Sequence, residues 1–335
     1  WYSFHPFPTD YDAWWGIKTL PAVQESTDSY RRFIIRDHDS VVRHWLRQGA
    51  SGWRLDVADE LPDDFIAEIR DAMEQENPDS FLLGEVWEDG SNKVAYSQRR
   101  RYLLGSETHG LMNYPFRTAA LDWLRGGDAA CFRDTMETIR EHYPRPAFYS
   151  ALNILGTHDT PRILTLLGAE HVPDTKDARA AYRLSPEERQ KGEARLRVGE
   201  MLLYCFPGSP TVYYGDEAGM EGFEDPLNRK TYPWDRQDRV LLDFFRSLGQ
   251  LRRHRPSLQD GDLTYVYAQG GALVLRRQLG DEITVAALNA GETAVEVSLP
   301  WPRDLAREAL TFQQFFAPVG KLRLRLPPVS GMILI

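Results

Sequence analysis

Two rhythms of hydrophobic and polar positions run through this chain, and each change of rhythm marks an element. Residues 1–35 hold neither rhythm and are broken by Pro6, Pro8 and Pro21, which predicts irregular structure. Val41, Val42, Trp45 and Leu46 then fall on one helical face, with Gly49 as the stop. SGWRLDVA at 51–58 predicts a short strand, with Arg54 and Asp56 leaving one side and Trp53, Leu55 and Val57 the other. Pro62 and Asp63 open a helix carrying Phe65, Ile66, Ile69 and Met73. Asn77-Pro78 ends it, and FLLGEVW at 81–87 is the next strand. The alternation continues through strands at 111–115, 151–157 and 210–215, and helices near 117–142, 186–205 and 239–255. Five strands separated by helices predict a parallel sheet with helices outside it.

After Pro256 the helical period disappears. LTYVYA (263–268), ALVLRR (272–277), ITVAALN (283–289) and AVEVSL (294–299) alternate or run apolar between Gly and Asp turns, which predicts an antiparallel β-sandwich. The expected organisation is an α/β domain over 1–256 and a sandwich over 257–335. A length of 335 residues suits one large and one smaller domain.

Charge and composition narrow the function classes. The net charge of −9 is spread along the chain, which argues against a nucleic-acid partner. Only Cys131 and Cys205 occur, so neither a disulfide framework nor a thiolate metal site is expected, and the low count leans weakly towards the cytoplasm. No apolar run reaches the roughly 18 residues of a membrane-spanning helix. Aromatic residues cluster at Trp1, Tyr2, Phe4, Phe7, Tyr11, Trp14 and Trp15, as sugar-stacking rings or as packing.

The chemistry sits at strand ends. Asp56, Glu85 and Asp159 each close a predicted strand, where parallel α/β arrays place their active groups. Neighbouring strands lie about 4.8 Å apart, and retaining glycosidases need two carboxyl groups about 5–5.5 Å apart. Arg54, two residues before Asp56, shares its face and is expected to keep it ionised and oriented. Val86 and Trp87 are expected to give Glu85 apolar surroundings that keep it protonated.

SGWRLDVADE, LLGEVWED and NILGTHDTPR resemble, in order and spacing, signature segments of the α-amylase family, glycoside hydrolase family 13. MNYPF (112–116), PGSPTVYYGDEAGM (207–220) and DPLNRKTYPWD (225–235) extend the resemblance, which is nearest to the neopullulanase, cyclomaltodextrinase and maltogenic-amylase branch. It implies a (β/α)8 TIM-type barrel, of which this chain carries the later strands, followed by the C-terminal sandwich. It further implies Asp56 as nucleophile, Glu85 as acid/base and Asp159 as transition-state stabiliser. Arg54, His158, Trp87, Tyr114 and Glu60 would contact the substrate. The implied reaction is retaining hydrolysis of α-1,4-glucosidic bonds, with α-1,6 bonds a further candidate, in maltodextrins, cyclodextrins, starch or pullulan. No cofactor is required by this chemistry, and calcium is a candidate ion with no assignable ligands.

Two departures qualify the resemblance. The first three barrel strands and the segment carrying an Asp and an Asn-His pair are absent, so the N-terminal half of the barrel is expected as a partner. TLPAVQE at 19–25 carries Val23 and Gln24 where the branch often reads Leu-Asn. Two other functions compete: a glucan transferase with the same covalent intermediate, and a non-catalytic binding module. All three acids remain, which disfavours the module.

Overall fold

The computed structural model describes residues 1–335. The chain divides into two compact units, Trp1–Met112 with His142–Ser150, and Asn113–Glu141 with Ala151–Ile335.

In the first unit the opening stretch is irregular but cross-linked, with isolated β-bridges pairing Tyr2 with Val23, Phe4 with Tyr11 and Ala13 with Pro21. A helical run occupies Asp28–Arg31 and Arg32–Arg36, inside the segment expected to be irregular. An apolar stripe does not announce it because a cation anchors it. Arg31 is buried and reaches Asp64 at 2.9 Å and Glu68 at 2.8 Å. In the next helix, Val41–Arg47, Val42 and Leu46 are buried as expected. Trp45 instead faces out and meets the His44 ring edge-on.

Strand β1 (Gly52–Leu55), the helix Asp63–Glu76 and strand β2 (Phe81–Gly84) follow. The helix buries Phe65, Ile66, Ile69, Ala72 and Met73, an i, i+1, i+4, i+7, i+8 stripe. Strands β1 and β2 pair in parallel with Leu55 opposite Gly84. Gly52 permits their close approach, since a Cβ there would lie 1.9 Å from the Phe81 carbonyl oxygen. A hairpin of β3 (Val94–Ala95) and β4 (Gln98–Arg99) precedes β5 (Gly110–Asn113), which pairs in parallel with β2.

In the second unit, the helix expected over 117–142 is two helices, Tyr114–Leu124 and Ala129–His142. Gly126, at φ 110°, breaks them apart. Strands β6 (Leu152–Ile154) and β7 (Ser209–Thr211) pair in parallel, and the helix Pro186–Cys205 runs between them in sequence. Its start is a reciprocal cap: Glu188 N donates to Ser185 Oγ at 3.2 Å, and Ser185 N donates to Glu188 Oε2 at 2.8 Å. The helix Arg239–Arg253 is capped by Asp238, which accepts from Leu241 N at 2.9 Å.

A short helix, Pro256–Asp260, leads into antiparallel strands β8 (Asp262–Gln269), β9 (Ala272–Leu279) and β10 (Glu282–Asn289). Strands β11 (Val295–Pro300), β12 (Leu305–Arg307), β13 (Gln314–Phe316), β14 (Lys321–Leu326) and β15 (Ser330–Leu334) complete the region. One sheet runs β15-β10-β9-β8, while β11 pairs with β14 and β12 with β13. Val274, Val285, Val297, Leu299, Leu322 and Leu324 share one core between these layers, as in a sandwich. Arg277 of β9 is fully buried and donates to the carbonyls of Cys205 at 2.9 Å and Gly261 at 3.0 Å.

The Ser185 cap generates a direct test. Ser185→Ala is expected to lower stability by about 1 kcal/mol, the usual cost of losing a side-chain cap. Urea unfolding followed by far-UV circular dichroism measures this, and an unchanged midpoint contradicts it.

Candidate active site

The parallel register of β1 and β2 carries past their last paired residues. Glu85 N donates to the Leu55 carbonyl at 3.0 Å, and Ala58 N donates to the Glu85 carbonyl at 3.1 Å. Asp56 and Glu85 therefore follow matched positions on neighbouring strands. Arg54 joins them: Nη1 pairs with Asp56 Oδ1, and Nη2 lies 3.0 Å from Glu85 Oε2. Asp56 is open to solvent, whereas the Glu85 side chain is 5% exposed. The expected alternation holds, since Trp53 turns the other way and donates its indole N–H to the Val42 carbonyl at 3.3 Å.

The surroundings of Glu85 differ from the apolar pocket expected of them. Its Oε2 accepts from Val57 N at 2.9 Å and its Oε1 from the Trp87 indole N–H at 3.1 Å. Val86 is the fully buried neighbour, because alternation turns it away from the carboxyl. Trp87 thus offers its polar edge to Glu85 while its side chain is 48% exposed. Val57 can donate because its backbone is left-handed, at φ 43°, an unusual conformation for a β-branched residue.

The turn Ala58–Glu60 that follows is tied down from several directions. Asp59 accepts from the Tyr102 hydroxyl at 2.6 Å and pairs with Lys93 at 3.0 Å. The buried Arg100 donates to the carbonyls of Ala58, Asp59 and Leu61, and its Nε lies 2.7 Å from Asp63. Burial, with the Asp59 hydrogen bond, pushes the Tyr102 hydroxyl far above its ordinary pKa. Glu60 accepts from the Tyr96 hydroxyl and from the Trp15 indole at 3.4 Å, and both rings are exposed. Sequence reasoning named Glu60 but missed Tyr96, Tyr102, Lys93 and Arg100. The run Arg99-Arg100-Arg101 was the available signal, without any indication of a partner.

In the second unit, His158 and Asp159 follow β6. His158 Nε2 lies 3.3 Å from Asp159 Oδ2, and Arg229 Nη2 lies 3.4 Å from Asp159 Oδ1. Thr157 Oγ1 accepts from Asp159 N at 3.1 Å, and Thr160 Oγ1 accepts from Thr157 N at 3.2 Å. Arg162, three residues beyond Asp159, is fully buried. Its guanidinium pairs with Asp216 at 3.1 Å and covers the Tyr213 ring at 4.1 Å. Tyr114, expected to contact the substrate, is 3% exposed, at the first turn of a helix capped by Asn113. No group of three or more His, Cys, Asp or Glu side chains is arranged to hold a metal ion. No helix is long and apolar enough to cross a membrane.

Comparison with known proteins gives this architecture a class. An amylopullulanase of Thermoanaerobacterium saccharolyticum is 31% identical over 377 positions, covering 100% of this chain and 28% of that protein. A cyclomaltodextrinase of Geobacillus thermopakistaniensis is 29% identical over 352 positions, covering 99% of this chain and 53% of that protein. The native Nostoc punctiforme debranching enzyme matches in structure with a TM-score of 0.80 at 27% identity, covering 100% of this chain and 69% of that one. The chain thus spans 28% and 53% of the lengths of these two curated relatives. The fold is that of a (β/α)8 TIM-type barrel, represented by its later strands, with a C-terminal β-sandwich. Residues 15–259 match the alpha amylase catalytic domain, and the chain belongs to the α-amylase family.

Asp216, paired with Arg162, and Glu200 are two buried acids whose protonation is linked to folding. Burial raises the Asp216 pKa from 3.8 to about 7 against the opposing pull of Arg162, and burial together with the Asp216 charge raises Glu200 well above its ordinary value. A carboxyl that binds its proton more tightly in the folded state stabilises the fold where it is protonated. For Asp216 that contribution is complete below pH 3.8 and is lost as the pH rises through about 7. Glu200→Gln removes one of the two acids at nearly constant volume. It is expected to flatten the fall in melting temperature as the pH rises above 4.5, the ordinary glutamate value. Calorimetry across that range checks this, and a variant that parallels the parent at every pH refutes it.

Proposed function

We propose that this chain is the catalytic part of a retaining glycoside hydrolase acting on α-1,4-glucosidic bonds of maltodextrins, cyclodextrins, starch or pullulan. Bonds of the α-1,6 type are a further candidate. The observation that carries the reading is the single guanidinium of Arg54 held between Asp56 and Glu85 at matched strand ends. Two carboxylates sharing one small cation suit the spacing of about 5–5.5 Å that retaining chemistry requires. Membership of the α-amylase family and the names of the relatives supply the substrate class.

In this mechanism Asp56 attacks the anomeric carbon while the bond to the leaving oxygen breaks and Glu85 delivers its proton there. A glycosyl ester of Asp56 results. Glu85, now a carboxylate, removes a proton from water, which attacks the same carbon and releases Asp56. Arg54 couples the two steps. When Asp56 becomes a neutral ester, the guanidinium loses one of its anions and acts more fully on Glu85. There it holds the carboxylate in place for its role as base in the second step. Asp159 accepts hydrogen bonds from sugar hydroxyls, strengthening as the ring flattens and gains positive charge. His158, Trp87 and Glu60 contact the sugar.

Glu85→Gln is expected to lower turnover of unactivated maltooligosaccharides by about 10²–10⁴-fold, while aryl glycosides with good leaving groups lose far less. Equal losses on both substrates count against Glu85 as the acid. Asp56→Asn is expected to abolish turnover of both, with no glycosyl adduct detectable by intact-protein mass spectrometry. Substantial residual activity in that variant removes Asp56 from the nucleophile role. With maltotriose at high concentration, hydrolysis yields only shorter sugars, whereas longer oligomers reveal transfer.

A further inference from the structure

The carbonyls of the two residues that flank Asp159 are held by one buried side chain. Asn228 is fully buried, and its Nδ2 donates to the His158 carbonyl at 2.7 Å and to the Thr160 carbonyl at 2.8 Å. Those two acceptors fix the orientation of the amide, because a flipped Asn228 would set its oxygen against two carbonyl oxygens. Its own Oδ1 is left buried without a hydrogen-bond partner. An unmet acceptor of this kind costs on the order of 1–3 kcal/mol, so stability alone does not account for the arrangement.

The anchor behind Asn228 is also rigid. Its backbone carbonyl accepts from Arg162 Nε at 2.8 Å, and Arg162 N in turn donates to the Gly222 carbonyl at 2.9 Å. Arg162 is fully buried, paired with Asp216 and lying over the Tyr213 and Tyr214 rings. At the rim, Arg229 adds a donor from Nε to the same His158 carbonyl at 3.1 Å and approaches Asp159 Oδ1 at 3.4 Å. The loop's internal bonds run between Thr157 and Thr160, so they close the turn without fixing it against the rest of the fold. Asn228 supplies that fixation from the buried side, and Arg229 adds to it at the rim.

We infer that Asn228 is a positioning residue for Asp159: it clamps the peptide carbonyls of His158 and Thr160 and thereby sets where the Asp159 carboxylate meets the sugar. The inference rests on Asp159 acting as the transition-state stabiliser. A stabiliser works through geometry fixed before the reaction, and a displacement of about 1 Å can cost on the order of 10²-fold in rate. Ground-state binding, spread over many contacts, is far less sensitive to it.

The test uses the full chain with an aryl maltooligoside as substrate and acarbose as a cationic ring mimic. Asn228→Ala is expected to lower kcat on the order of 10²-fold while KM moves by less than about threefold, with acarbose affinity falling in step with kcat. Asn228→Ser, which retains one donor, is expected to lie between the alanine variant and the parent. Parental kcat in the alanine variant, or a loss confined to KM, overturns the inference. Should the buried variants fail to fold, Arg229→Lys at the exposed rim decides instead, since it keeps the charge and loses the planar donor. A reduced kcat at constant KM supports the clamp, and an unchanged kcat refutes it. Asp159→Asn separates the two levels. If that variant is active, the functional reading falls and the clamp's catalytic meaning with it. If it is inactive while Asn228→Ala is normal, the clamp alone is wrong.

Discussion

Two acidic side chains at neighbouring strand ends repel each other, and the first unit is arranged around the cation that resolves this. Arg54 reaches Asp56 with one nitrogen and Glu85 with the other. It can do so because the period of β1 puts it on the face of Asp56 and the register of β1 with β2 puts Glu85 alongside. The guanidinium is flat and forked, so it fixes two directions at once, which a lysine would not. Much of the nearby structure serves to keep this geometry. The left-handed Val57 turns its N–H onto Glu85, and Arg100 and Tyr102 hold the turn that follows.

The two units solve the placement of an acid differently. In the first, the carboxylates themselves are gripped by charged and polar side chains. In the second, the Asp159 carboxylate has only longer charged contacts, 3.3 Å to His158 and 3.4 Å to Arg229, while the backbone around it is held by Asn228, Thr157 and Thr160. The difference suits the chemistry proposed for each. A nucleophile must be held ionised and an acid/base must be held where it can give and regain a proton, which calls for electrostatic partners. A stabiliser needs free lone pairs for the sugar, which calls for support from behind.

What the sequence made legible follows the range of each interaction. Arg54 and Asp56 are two residues apart, so strand alternation alone related them. All five parallel strands and most of the long helices were readable, because their signals lie within each segment, the exception being the pair that Gly126 separates within 117–142. The helix at residues 28–36 was hidden because a buried arginine, and not an apolar stripe, holds it in place. The partners of Glu60, Asp59 and Asp159 come from 36, 43 and 70 residues away, and no periodicity reports such contacts. For Glu85 the residue types were read correctly and their orientation was not. Val86 turned inward, and Trp87 presented its N–H.

The change of pattern near residues 256–261 looks in sequence like a seam at which the chain could be cut. Arg277 argues otherwise. Its guanidinium, from the second strand of the sandwich, completes the carbonyl of Cys205 at the end of the helix Pro186–Cys205. Gly270 and Gly271 likewise accept from Ala129 N at 2.7 Å and from the Trp123 indole at 3.1 Å. Trimming the β-strands would strand these groups beside newly bared apolar surface. The sandwich is therefore bonded into the helices of its own unit and is not a detachable accessory, and any minimised or grafted version of this fold has to carry it along.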